Sequence, residues 1–590
     1  RSSVHRPIWR LTVREARRLA GQLQRFGWQL LAGATSLVIA FSAARGIAGG
    51  YEPVNDNSLI ELRAGDVFTG HHPLLGTLSS ASISTGIDVD HLGPLLFDVV
   101  AIPLRLFGRS AGIPVAIALL NIAVVWLVGF VTSRVGGATA AVSAQVITAL
   151  MVWTMGSELL YDPWQPNVLF LPFWLLLCCV WAVVAGRVSL LPLTVGVASF
   201  VMQTHLSYLF IAPIMVAFAV MSILWDRRAS GEGAFDDLRR PALLSVGVFG
   251  VLWSQILVEQ FFGSGRGNLT RLFLAGTGGG DDTGFESVRT GVPLALRMMS
   301  AVVALPPWWG RPGYDDSIPG SAWVEGPTGL VLETPGLASF GVSLGGLAVV
   351  VALVAVAWRQ MRRVENLEVV AAFRTLMMAS AVAFVTLVIT PIDILGISPH
   401  KVRWIWVIGI FLTYTVLLAA LAAVPKRWCG FGLDGLAGLG VVALVLTLPT
   451  YVSQSGPLIF REATASITNV RGQLDAYFER SDAPRSVLFD PNGIGFGEPY
   501  TQPIMTQLLH DGVDLAVDDP SRARQLGRDR VATPDEIDTL PLVYVRVGAD
   551  AVAFAEGVER IAFHAGDTSP YSINDVRDRA VGVFLVRQQG

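Results

Sequence analysis

Apolar runs of about twenty residues recur along this chain, and that is the length a helix needs to cross a bilayer core of about 30 Å. They fall near 27–49, 112–133, 137–156, 166–186, 189–205, 207–225, 242–262, 337–358, 369–390, 403–424 and 433–453. In lipid every backbone N–H and C=O must be paired within the segment, so such runs must become α-helices. Composition points the same way. Of 590 residues, 52% are hydrophobic and 15% charged, where a soluble domain carries about a quarter charged. The expectation is a polytopic α-helical membrane protein of about eleven spans, followed by a soluble domain.

Lys and Arg concentrate on the cytoplasmic side of membranes, which orients the set. Arg1, Arg6, Arg10, Arg14, Arg17, Arg18 and Arg25 precede the first span, so residues 1–26 read as a cytoplasmic basic segment and the first span as a signal anchor. Later basic turns fall at Arg134, Arg187, Arg227/Arg228 with Arg239/Arg240, Arg359/Arg362/Arg363 and Lys426/Arg427. The alternate loops hold Glu52, Asp56, Glu61 and Asp66, then Glu158 and Asp162, then Asp281, Asp282, Asp315 and Asp316. Residues 92–107 are apolar but short and contain Pro94, Asp98, Pro103 and Arg105. Counting them as a span would invert every later loop, so they read as a juxtamembrane helix in the outer interface. The expected topology is a cytoplasmic N-terminus and an extracytoplasmic C-terminus in the plasma membrane. The net charge of −3 gives no reason to expect nucleic acid as a partner.

The spans look plain, and the chemistry lies in outer loops 50–111 and 263–336 and in the tail 455–590. Asp56 stands just past the first span in Asn55-Asp56-Asn57. A carboxylate partly desolvated at the interface is a better base than one in water; the same three residues could instead cap the helix entered at Ser58. The short loop SELLYDPWQPN holds Glu158 and, between two aromatics, Asp162. Asp162 could bind an acceptor hydroxyl, help place a metal, or cap the turn before Pro163. His205 sits at an outer junction of two spans, where a histidine serves as catalyst or as interfacial hydrogen-bonder. His71 and His72 are adjacent and so point apart in regular structure, with no further ligand at a familiar spacing. His400, Lys401 and Arg403 lie on the side where cations are disfavoured, and a lipid phosphate at headgroup level would partner them. In the long loop, Trp308, Trp309 and Tyr314 could stack on a sugar ring or sit in the interfacial aromatic belt. Arg266 and Arg271 flank Gly-rich backbone, but no G-x-x-x-x-G-K-[ST] spacing supports nucleotide binding. Asn268-Leu269-Thr270 fits a glycosylation sequon.

Past the last span the composition becomes that of a soluble chain. Short apolar runs at Ser486–Phe489, Val513–Val517, Leu542–Val547, Arg560–Phe563 and Val581–Val586, with a helical pattern over Gln502–His510 ended by Gly512, give a small α/β domain. It has no Ser-His-Asp order and no zinc spacing. Acceptor recognition, or a structural cap over an active site, is its expected role.

These features resemble the GT-C superfamily of integral membrane glycosyltransferases, which use polyprenyl-phosphate sugars and include protein O-mannosyltransferases, lipid A aminoarabinose transferases and actinobacterial arabinosyl- and mannosyltransferases. The resemblance rests on Asn55-Asp56-Asn57 after span one, on HLGPLLFDVVAIPLRLFG (91–108) as the family's juxtamembrane helix, and on the short loop with Asp162 before a span containing Pro172. It covers roughly residues 27–262 by pattern. It implies a GT-C-like catalytic domain over 27–454, with Asp56 as general base and Asp162 as the supporting acid, accompanied by Glu158 and His205. Arg403, with Lys401 or His400, would hold the donor phosphate. Many relatives have Asp-Asp or Asp-Glu where this chain has Asn-Asp, so a divalent cation is neither required nor excluded. With the Ala/Gly/Val/Arg-rich composition, the resemblance implies an actinobacterial cell-envelope enzyme. It would transfer an arabinose- or mannose-like sugar from a polyprenyl-phosphate donor to an envelope glycan or glycolipid, among membrane lipids. Alternatives are a lipid-linked glycan ligase or polymerase, an envelope lipid transporter or flippase, and a non-enzymatic scaffold.

Overall fold

The computed structural model describes residues 13–587 apart from 231–235, 264, 278–287, 305–306, 311–321, 327–328, 335, 393–395, 398, 449–461, 492–493, 495–497, 520–525, 554–557 and 570–576. Tyr314, Asp281, Asp282, Asp315 and Asp316 lie outside the described residues. Among those described, eight helices are long and apolar enough to cross a membrane, by length and composition.

The first is α1 (Val13–Ala48), followed in the first loop by α2 (Asp56–Asp66) and α3 (Ala81–Thr85). Next comes α4 (Leu95–Met155), one hydrogen-bonded run broken where glycines leave helical geometry: at Gly108 (φ 72°, ψ −177°) and at Gly136 and Gly137 (φ 63°, ψ −153° at the latter). Positive φ is cheap only without a Cβ, so these glycines divide the run into three arms. The first arm, 95–107, is the segment expected to lie in the interface. The other two, 109–135 and 138–155, correspond to the runs at 112–133 and 137–156. The chain continues through α5 (Gln165–Val168), α6 (Phe170–Val184), α7 (Leu191–Thr204), α8 (Ile211–Ser230), α9 (Asp236–Phe262) and α10 (Asn268–Gly276). After α11 (Gly291–Val303) come α12 (Phe340–Arg363), α13 (Leu367–Ile389), α14 (Ile405–Ala423) and α15 (Lys426–Thr447). The long loop 263–336 thus contains two helices, α10 and α11, that its Gly-rich sequence did not announce. It also holds the strand β1 (Val288–Arg289) and a hairpin, β2 (Ala322–Gly326) with β3 (Gly329–Glu333); β1 pairs with β4 (Pro391–Ile392).

The polar groups divide between the two ends of the bundle. At one end Arg187 donates to the Arg134 carbonyl (2.8 Å) and approaches Glu368 (3.7 Å), while Arg374 pairs with Asp226 (2.9 Å) and Arg227 with Asp237. The first loop, the 157–167 loop, His205, Arg403 and the C-terminal region gather at the other.

The C-terminal region begins with α16 (Ala463–Phe478) and holds β5 (Ser486–Asp490), α17 (Thr501–His510), β6 (Asp514–Ala516), β7 (Leu542–Val547), β8 (Glu559–His564) and β9 (Val581–Val586). The sheet order is β6-β5-β7-β9-β8, with β5 parallel to β6 and β7, and β9 antiparallel to β7 and β8. Gly512, at φ +74°, ends α17 in the left-handed conformation. Three first-loop residues, Val54, Leu59 and Leu62, are buried in this C-terminal core, whereas Ile60 and Ala64 belong to the core of the bundle. Helix α2 is therefore shared between the two bodies.

Candidate functional site

The site starts at the N-terminus of α2. Asn55 takes φ 50°, a left-handed conformation that Asn tolerates better than most residues. Neither Asn55 nor its neighbours cap the helix by side chain: the Asn55 side chain makes no cap bond, and the next two side chains reach across to the 157–167 loop. The Trp164 indole N–H donates to Asp56 Oδ2 at 3.0 Å, and Asn57 Nδ2 donates to Asp162 Oδ1 at 2.8 Å. Among the described residues Asp56 Oδ1 receives no hydrogen bond. Burial pushes the Asp56 carboxyl up from its ordinary range, the Trp164 bond opposes this, and the Asp162 charge adds to it.

Asp162 is buried and spends both oxygens on amides. Asn167 Nδ2 donates to Oδ2 at 2.6 Å, and the Trp164 backbone N–H reaches Oδ1 at 3.3 Å, so the carboxylate both braces the turn and bonds across it. Burial raises its pKa, opposed by Asn167, Asn57, the Trp164 amide and Arg403. The carbonyl side of Asn167 accepts from the buried Arg403, whose guanidinium lies over the Trp164 ring, 5.2 Å from its centroid. One indole thus joins a carboxylate to a guanidinium, and two asparagines tie the ring of contacts shut. Glu158 opens the single turn Glu158–Leu160; Asn121 donates to Leu160 O at 2.9 Å, and Ser157 Oγ donates to Thr447 O at 2.9 Å.

Three histidines extend the site. His400, half-buried in the turn Pro399–Lys401, meets Trp164 edge-on at 5.6 Å, and His205 lies 6.4 Å from His400 and 4.7 Å from His91 between ring centroids. The Leu206 N–H donates to His91 Nδ1 (3.1 Å) and the Ser207 N–H to His205 Nδ1 (3.3 Å). A backbone amide can only donate, so each Nδ1 is the unprotonated nitrogen and each neutral ring carries its proton on Nε2. Burial pushes His91 down to about 4. Burial, then the Lys401 and Arg403 charges, then His91, bring His400 to about 3, while burial and the neighbouring His91, His400 and Lys401 hold His205 well below its usual value. All three rings are neutral at pH 7.

The sequence-based candidates therefore separate. Asp56, Asp162, His205, His400 and Arg403 converge, with Lys401 half-buried in the same turn as His400. The aromatic pair Trp308 and Trp309 lies apart from them. Trp308 is buried over Gly409 and donates to Thr413 Oγ1 at 2.9 Å, so its faces are taken by protein; Trp309 is exposed. His71 and His72 do diverge, His71 to Asp529 and His72 to Gln255 (3.2 Å). Asn268, the sequon asparagine, is fully buried and holds Asp90 through its backbone O and N (2.9 and 3.0 Å), which leaves no accessible amide to glycosylate. Among the described residues no three His, Cys, Asp or Glu side chains are grouped to hold a metal ion. Sequence reasoning gave no site role to Trp164, Asn57, Asn167 or His91. The signals were there in part: Trp164 and Asn167 lie in the Pro-stiffened loop beside Asp162, Asn57 follows Asp56 but was read as a possible cap, and His91 opens the juxtamembrane segment.

No family model matches the chain, and no curated protein matches it in sequence. Solved structures that resemble it weakly include two from one archaeon. The apo oligosaccharyltransferase of Archaeoglobus fulgidus is 10% identical, with a TM-score of 0.31 over 81% of this chain and 64% of its own. The archaeal oligosaccharyltransferase AglB from Archaeoglobus fulgidus, in complex with an inhibitory peptide and a dolichol-phosphate, is 10% identical, with a TM-score of 0.31 over 86% of this chain and 69% of its own. The chain spans just under two thirds of the first of these. At that level the likeness carries no statement about activity.

Proposed function

We propose that the chain is an inverting, GT-C-type glycosyltransferase that moves an arabinose- or mannose-like sugar from a polyprenyl-phosphate donor to an envelope glycan or glycolipid at the outer membrane face. The observation that carries this reading is the Trp164 bridge: a half-buried carboxylate with one oxygen open and a buried guanidinium stand on the two sides of one indole. Asp56 Oδ1 takes the proton of the acceptor hydroxyl as its oxygen bonds to the anomeric carbon. The bond from that carbon to the phosphate oxygen breaks, and its electron pair leaves on the phosphate. Arg403 and Lys401 balance the charge that grows there, and the neutral His205, packed against His400, keeps its proton on Nε2 as a donor of fixed tautomer. Asp162 keeps the asparagines and Trp164 in place, and its raised pKa follows from the same burial that excludes water.

A transport path is less well supported. Among the described residues, the buried charged side chains lie at the Asp56 end or in the C-terminal region, and none lines a mid-bundle route. Extracytoplasmic placement of the site and tail follows from the basic turns at the opposite end. The test is transfer from a panel of radiolabelled polyprenyl-phosphate sugars into membrane acceptors, with Asp56→Asn beside the wild type. Near-wild-type turnover by a folded Asp56→Asn protein would falsify the assignment.

A further inference from the structure

Helix α2 is gripped at both ends by charges from the C-terminal region. Before and within the helix, Arg471 of α16 pairs with Glu52 and with Glu61, the latter at 3.3 Å; Arg471 and Glu61 are 3% and 2% exposed. Arg109, at the glycine break in α4, reaches the same Glu61 (3.2 Å) and Gln507 of α17 (2.5 Å). At the other end Asp66 receives both nitrogens of Arg530 (2.8 Å each) and Arg63 (2.5 Å), while Arg63 also donates to Leu526 O (2.7 Å). Between the two clusters Thr506 Oγ1 donates to Ser58 O at 3.2 Å, and Leu59 and Leu62 fill the C-terminal core. Buried ions in low dielectric hold only one geometry well, because each displaced partner leaves an uncompensated charge. Asp56 is the first residue of the helix held this way. A shift of α2 along its axis would carry the carboxylate off the Trp164 indole.

We infer that the C-terminal region is a positioning clamp for the base, with Arg471 and Arg530 as its positioning residues: it fixes the register of α2 and so sets Asp56 against Trp164. This rests on the proposed role of Asp56 and deepens it. Of the two roles the sequence left open, acceptor recognition and a structural cap, the clamp takes up the second, since the buried Arg471 and Arg530 are both turned to the first loop and α2. The clamp would contribute to rate through geometry, since base and acceptor must meet at near-attack distance.

The test uses the full chain in lipid nanodiscs and two readouts that need no substrate. Hydrogen exchange over residues 56–66 measures the hold on the helix, and carbodiimide labelling of Asp56 across pH measures its environment. Arg471→Met is expected to speed exchange over 56–66 by about tenfold while exchange in α6 and α13 stays unchanged. It should also raise Asp56 labelling and lower the midpoint of its pH profile toward the ordinary carboxylate range, with Arg471→Lys recovering part of both. Arg530→Gln, at the opposite end, gives the same signature should Arg471→Met fail to fold. Where transfer is measurable, kcat falls and the donor KM holds. Unchanged exchange and labelling in both folded variants would overturn the clamp, as would faster exchange with an unaltered Asp56 profile. Intact clamp signatures together with no transfer from any donor would instead overturn the proposed chemistry and leave the clamp standing.

Discussion

The two ends of the bundle handle charge in opposite ways. At the end with Arg134, Arg187, Asp226 and Arg374, the ion pairs are exposed or half-exposed and replace one another's water with little change. At the Asp56 end Asp162, Arg403, Glu61 and Arg471 are buried and each is held by several partners. Exposed pairs are worth about 0–1 kcal/mol, whereas breaking a buried one costs about 3–5 kcal/mol. Buried charges of this kind hold one geometry, which is what the proposed reaction centre would need, whereas the exposed pairs at the other end fix little.

That contrast can be broken by substitution. The largest effect is expected at Asp56→Asn, which removes the proposed base and should lower transfer by about 10²–10⁴, read as initial rate at saturating donor. Arg403→Met follows at about 10²–10³, the scale of one lost oxyanion partner. An increase in donor KM alone would mean that Arg403 binds ground state and transition state equally. Asp162→Asn leaves buried amide donors facing an amide and should cost about 1–3 kcal/mol of stability by denaturant titration, with transfer lost in proportion to the disordered fraction.

Acidification separates the ends without mutation. His91, whose pKa is depressed to about 4 from 6.5 when folded, contributes stability that is present above pH 6.5 and lost as pH falls toward 4, at most about 3 kcal/mol. Asp56 and Asp162 have the opposite sign. Their raised values give stability that is full below the ordinary carboxylate pKa and lost as pH rises through the folded one. Thermal melts from pH 7 down to 4 should therefore show His91→Gln with a shallower acid loss than the wild type. The smallest effect belongs to the other end: Arg374→Ala should change stability by less than about 0.5 kcal/mol and leave transfer unaltered. A tenfold loss of transfer there would erase the distinction between the ends.

Much of this was legible in residues. A run such as 166–186 has no structure open to it in lipid but a helix, and the C-terminal runs alternate with turn residues as strands must. The 61-residue extent of α4 was not legible as one run, because glycine at 108 and 137 breaks direction while hydrogen bonding continues across it. In the site, Asp56, Asp162 and Arg403 stood out because charge at a membrane boundary is costly. Trp164, Asn57 and Asn167 did not, since neutral side chains in a loop are ordinary until two other loops close on them. Trp308 was ambiguous for the converse reason: an aromatic beside glycine and proline suits a sugar platform, an interfacial belt and a packed core alike. The buried charges of the clamp were visible only once α16 and α2 met across more than four hundred residues.

The most direct test of the central claim is sugar transfer by purified protein in nanodiscs, with a panel of polyprenyl-phosphate sugars and Asp56→Asn beside the wild type. Transfer from one donor by the wild type, lost by at least about 10² in a folded Asp56→Asn protein, is the expected result. Equal transfer by both proteins, or none from any donor while lipid movement across the bilayer is observed, would contradict it.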